Sequence, residues 1–73
     1  MKFFDWQIDI EGNLKTYADI ENRRVAILTK VDDEIHMTLE FDENDKLVLH
    51  PRWNINITFV GDKHLKLTTN SED

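Results

Sequence analysis

The chain has 73 residues, 15 of them acidic against 9 basic for a formal net charge of −6, and it contains no cysteine. That length holds one small core and no second lobe, and the lack of cysteine excludes disulfides, iron–sulfur clusters, thiolate zinc sites and cysteine nucleophiles. Packing or self-association must therefore supply the stability margin, while the acidic balance disfavours nonspecific nucleic-acid binding and favours solubility or a basic partner.

The N-terminal segment Met1-Lys2-Phe3-Phe4-Asp5 reaches a charge by its fifth residue. It lacks the apolar stretch of a secretion signal, and no later run approaches a membrane span, so a cytoplasmic location away from membranes is expected. From there Phe4, Trp6, Ile8 and Ile10 alternate with Asp5, Gln7 and Asp9, the period of a half-buried strand. The same period recurs after each short polar break. It runs through Leu14, Thr16, Ala18 and Ile20, then Val25, Ile27, Thr29 and Val31, then Ile35, Met37, Leu39 and Phe41, then Leu47 and Leu49. Trp53, Ile55, Ile57 and Phe59 continue it, and Leu65 and Leu67 close it. Pro51 marks either a tight turn or a bend in a longer strand.

The pattern predicts an all-β domain over residues 1–69: an antiparallel up-and-down meander of six or seven short strands, forming a small barrel or flattened roll. Residues 70–73 have nothing to bury and are expected to form a disordered C-terminal tail. The inward set is almost wholly large and apolar, which predicts a filled interior and disfavours a small-molecule pocket.

The stretch Ile57-Thr58-Phe59-Val60-Gly61-Asp62-Lys63-His64-Leu65-Lys66-Leu67-Thr68, together with Trp6, resembles the closing hairpin and early tryptophan of small bacterial lipocalin-like barrels. It covers less than a quarter of the chain, and Phe4 stands where the Gly-x-Trp element of those proteins has glycine. The resemblance implies a barrel fold and a small apolar ligand, and it carries no functional residue onto this sequence.

Pairing Ile10 with Leu14, Ile20 with Val25, Val31 with Ile35 and Phe41 with Leu47 fixes an expected register, and the register sorts the outward residues into rows. One row is largely basic and holds Lys15, Lys30, His36 and Arg52, with Asp9 facing Lys15. The next holds Gln7, Tyr17, Leu28, Thr38 and His50 and has no fixed charge; a third, with Asp5, Asp19, Ala26, Glu40 and Val48, leans acidic. Tyr17 and Leu28 would lie opposite each other on the water-facing side, and aromatic and apolar anchors of this kind mark interface centres. The uncharged row is thus the candidate contact site for a protein partner or for self-association. The run Val25-Ala26-Ile27-Leu28 breaks the alternation, which points to a strand covered on both faces.

Chemistry has little to work with. His36 and His50 would sit diagonally near Glu40, but zinc needs three or four convergent ligands and His64 lies in the last hairpin, so no metal is expected. Asp42-Glu43-Asn44-Asp45-Lys46 lacks the glycine and the closing glutamate of a calcium loop. The one serine, Ser71, falls in the tail, and the two glycines are isolated, so neither a nucleophile nor a phosphate loop is present and no cofactor is implied. The expectation is a small non-enzymatic protein-binding domain, an accessory or inhibitory factor of bacterial or phage origin. A lipocalin-like ligand-binding barrel is the first alternative, and a nucleic-acid-binding barrel using the basic row is the second.

Overall fold

A computed structural model describes residues 1–69, and the tail at 70–73 lies outside the described residues. The described chain is all-β, with eight strands: β1 (Lys2–Phe3), β2 (Trp6–Ile10), β3 (Leu14–Asp19), β4 (Arg24–Thr29), β5 (Ile35–Phe41), β6 (Leu47–Pro51), β7 (Asn56–Gly61) and β8 (His64–Thr68). They form two four-stranded sheets, β1-β2-β8-β7 and β3-β4-β5-β6. The second has its four strands in sequence order and antiparallel, but the expected single meander of six or seven strands does not run through the described chain, and the strands form two sheets with no closed barrel among the described residues. In the first, β2 runs parallel to β8, with Gln7 opposite His64 and Ile10 opposite Leu67. Parallel neighbours need a long crossover, and here the whole second sheet supplies it. Ile10 therefore does not pair with Leu14. Glu11-Gly12-Asn13 carries the chain from one sheet to the other, with Gly12 at φ 78° and the Glu11 amide donating to the Leu67 carbonyl.

One core lies under both sheets. Phe3, Ile8, Leu65 and Leu67 enter it from the first sheet, and Leu14, Val25, Ile27, Met37, Leu39 and Phe41 from the second. Most of these positions are those the alternation assigns inward. The sheets are also clasped at one end by Arg23. Its Nε donates to the carbonyls of Phe41 (3.1 Å) and Asp42 (3.2 Å), its Nη2 pairs with the Asp45 carboxylate, and its guanidinium lies 4.3 Å from the centre of the Phe4 ring. Phe4 in turn packs on Phe41 at 4.8 Å, which anchors a residue held at φ 55° in the β1–β2 turn.

Two hairpins close two residues earlier than simple alternation predicts, and in both a side chain in the turn explains why. Ala18, not Ile20, pairs with Val25. The Asp19 carboxylate accepts from the Asn22 amide (3.4 Å) and side-chain nitrogen (2.8 Å), which draws Ile20 into the turn and leaves it 56% exposed. The next hairpin closes at Thr29, whose hydroxyl bonds to the Asp32 carboxylate, while the Glu34 amide donates to Asp32 (3.1 Å) and Thr29 (3.3 Å). Val31 is thereby expelled to 82% exposure, and the Val31–Ile35 pair does not form. The Phe41–Leu47 pair forms as expected, with Leu39 opposite Leu49. Pro51 ends β6 at a sheet edge, where a missing amide donor costs no ladder bond.

Candidate functional site

The outward face of the second sheet carries the expected contact residues in a corrected register. Closing the β3–β4 hairpin at Asp19–Arg24 places Tyr17 opposite Ala26, and Lys15 opposite Leu28. Ala26 faces Thr38, and Thr38 faces His50, so the uncharged row reads Tyr17, Ala26, Thr38, His50. Leu28 is diagonal to Tyr17 and half-buried, while Tyr17 is 69% exposed. Gln7 does not belong to this row. It lies in the other sheet, where its side chain donates to Asp9 at 2.9 Å. The acidic row shifts likewise, with Asp19 opposite Arg24, Arg24 opposite Glu40, and Glu40 opposite Val48.

The basic row does not assemble. Lys15 forms an ion pair with Asp33, Lys30 lies in the turn after β4 with its amide donating to Asn13, and Arg52 follows the end of β6. Asp9 bonds His64 at 2.6 Å rather than facing Lys15. The Gln7 side-chain hydrogen bond, followed by the His64 bond, holds the Asp9 carboxyl below the usual aspartate range.

His36 departs furthest from expectation, for it is 1% exposed. The cause is a bulge: Ile27 pairs with Met37 but Leu28 pairs with Ile35, so His36 is the extra residue on β5 and turns inward beside Met37. Trp53, which alternation places in the core, is 51% exposed and stacks on the His36 ring at 4.7 Å. Phe59, which alternation also places inward, pairs with Leu65 but lies on edge strand β7 and is 61% exposed, with Trp6 6.5 Å away edge-on.

The His36 ring is fixed by the loop above it. Its Nδ1 faces the carbonyl oxygens of Trp53 (3.1 Å) and Asn54 (3.3 Å), which only accept, so Nδ1 carries the proton. Nε2 has no hydrogen-bond partner among the described residues. His36 lines an open cavity of about 280 Å³, together with Thr29, Asp32, Glu34, Trp53 and Asn54. The His36, Asn54 and Asp32 contributions come from a bulge, from a turn residue at φ 52° and from a turn-capping carboxylate, none of which hydrophobic periodicity reports.

His50 pairs with Glu40 at 3.1 Å while His36 lies in the bulge, so the structure does not bring the two histidines to one centre. Among the described residues no group of three or more histidine, aspartate or glutamate side chains is placed to hold a metal ion. No helix among the described residues is long and apolar enough to cross a membrane. No protein-family model, curated protein or solved structure matches the chain.

Proposed function

We propose that this is a small non-enzymatic protein-binding domain that engages a basic partner, or a second copy of itself, through the outward face of the β3–β6 sheet. The observation that carries the reading is Tyr17: an aromatic ring 69% exposed, on a sheet face rather than a loop, in a row without fixed charge and beside Leu28. The excess of carboxylates over basic groups supports a partner of opposite charge. A nucleic-acid role has less support, since Lys15, Lys30 and Arg52 share no stripe. A ligand-holding barrel also has less support, because ten buried apolar side chains occupy the space between the sheets.

The test is the pair Tyr17→Ser and Leu28→Ser, alone and together, in self-association and partner-capture assays. The double variant should keep its β-rich circular dichroism and weaken association by more than about 2 kcal/mol, as loss of interface anchors does. Tyr17→Ser alone is the cleaner arm, because Leu28 is half-buried and contributes some packing. Lys15→Glu with Lys30→Glu should alter association rate and salt dependence more than the final complex. Normal binding by Tyr17→Ser, with all binding lost in the glutamate variant, would overturn the proposal.

A further inference from the structure

Strand β3 lies at an edge of its sheet: β4 is its one ladder partner among the described residues, and no strand pairs with its other side. The direction of its backbone groups follows from the loop before it. The Lys30 amide donates to the Asn13 carbonyl, so Asn13 points toward β4. The β3–β4 ladder has no register shift, so Lys15, Tyr17 and Asp19 point the same way. The amides and carbonyls of Thr16 and Ala18 are therefore directed away from β4, along the open edge. Ala18 is exposed although its parity is inward, as expected of a strand with an uncovered side.

The other edges lack what this one carries. β1 has two residues, β6 ends in Pro51, and β7 has no charged side chain. On the outward face of β3, Lys15 and Asp19 stand two residues either side of Tyr17. That spacing is complementary to itself. Two copies of β3 laid antiparallel can form ladder bonds only between groups that point outward, and setting Thr16 against Ala18 meets this condition. It also sets Tyr17 against Tyr17 on the two-fold axis, at the kind of site where opposed side chains lie closest, and Lys15 against Asp19 on both sides of it. Opposing Thr16 with Thr16, or Ala18 with Ala18, instead sets a charged residue against Tyr17.

The rows on the sheet face continue across the same axis. Tyr17, Ala26, Thr38 and His50 run into their own copy without meeting a charge, and the alternating row Glu40, Arg24, Asp19 runs on into Lys15 of the second copy. Neither charged group is held back. Lys15 is paired with Asp33 on the surface, where an ion pair contributes little, and the Asp19 carboxylate can accept from Lys15 while keeping its bonds to Asn22.

From this self-complementarity we infer that β3 pairs antiparallel with β3 of a second copy, joining the two β3–β6 sheets into one continuous sheet with Tyr17 at its centre. The inference rests on the reading of the Tyr17 face as a contact surface and names its occupant and register. A six-residue edge is a small contact, so the pair belongs to the weak class of associations and forms with rising concentration.

The test is sedimentation equilibrium over a concentration series, with amide exchange followed by NMR on the same samples. The unaltered chain should dimerise, and the Thr16 and Ala18 amides should gain protection as it does. Tyr17→Ser should weaken the dimer by more than about thirtyfold. Lys15→Glu and Asp19→Lys should each weaken it on the order of fivefold, since each sets like charges opposite one another twice. An equimolar mixture of those two variants should restore association to within about twofold, because every cross-strand pair is then of opposite sign. Restoration on mixing also separates lost pairing from a hairpin damaged by removing the Asp19–Asn22 bonds. Should Asp19→Lys fail to fold, the Thr16 and Ala18 amides of the unaltered chain decide the matter. Loss of the dimer in Tyr17→Ser, with no effect of either charge change or no restoration on mixing, would overturn the register and leave the Tyr17 face standing. A chain that stays monomeric throughout would overturn the inference and leave a basic partner as the occupant. Dimerisation unaffected by Tyr17→Ser, with protection gained on β7 instead, would overturn both.

Discussion

Aliphatic residues of one parity are not equivalent in this fold, and truncating Ile27 and Val31 separates them. Both occupy inward positions by alternation, but Ile27 is wholly buried in β4 and Val31 is 82% exposed in the turn that follows. Ile27→Ala removes three buried carbons between the sheets and should cost about 3 kcal/mol, within the 2–5 kcal/mol typical of such truncations. Val31→Ala should cost less than about 0.5 kcal/mol, the ordinary range for a surface change. A domain of this size has on the order of 4–11 kcal/mol of stability in total. With a urea m-value near 1 kcal/mol/M, Ile27→Ala should lower the unfolding midpoint by about 2 M or more, or leave the chain partly unfolded in water. Tryptophan fluorescence and circular dichroism followed through the same urea series give both midpoints. Losses of similar size for the two variants would refute the early closure of the hairpin at Thr29, and with it the corrected positions on the sheet face.

The other expectations concern the turns. The amides of Lys46 and then Asn44 hold the Asp42 carboxylate below the usual aspartate range, and Asp9 and Asp32 are lowered as well. A carboxyl whose folded value is depressed contributes stability that is complete above its unfolded value and is lost as the pH falls through the folded one. The urea midpoint should therefore hold its share from these groups down to about pH 4 and lose it below, and Asp42→Asn should flatten that acid limb. Lys63 sits at φ 53° in the β7–β8 turn, so Lys63→Gly should raise stability by about 0.5 kcal/mol, the relief of left-handed strain exceeding the added freedom of the unfolded chain. Its Asp5 partner at 3.6 Å is half-exposed and subtracts little. Lys66→Gly, inside β8, should do the reverse and cost about 1 kcal/mol, as denaturation at fixed pH will show.

Much of the fold is legible in the sequence because burial on one face imposes period two. Ile8, Val25, Ile27, Leu39, Phe41, Leu65 and Leu67 are in the core where alternation puts them. Register is harder, since it is set by how each turn closes and not by the strands alone. Asp19 and Asp32 shorten two hairpins through bonds that any aspartate in a loop could have failed to make. The parallel β2–β8 pair joins segments more than fifty residues apart, and no local signal announces such a partner. Turn chemistry was obscured as well: Arg23, Asp33, Asp45, Asn54 and Lys63 all take positive φ in places where glycine would have been the recognisable marker. For the candidate site, Tyr17 and Leu28 fall on the outward face as alternation implies, whereas the His36 cavity depends on a bulge that a one-residue irregularity in a strand conceals.

Tyr17 is the chain's only tyrosine, which makes its chemical accessibility a direct measure of the central claim that this sheet face is a contact surface. Nitration with tetranitromethane, read by mass spectrometry, compares the free monomer with the associated state recovered at high concentration or on a captured partner. With the ring 69% exposed, the free protein should be modified at Tyr17 in its folded state, and association should protect that ring while leaving the fold unchanged. Equal nitration of Tyr17 in the free and associated states would contradict the claim and place the contact elsewhere on the molecule.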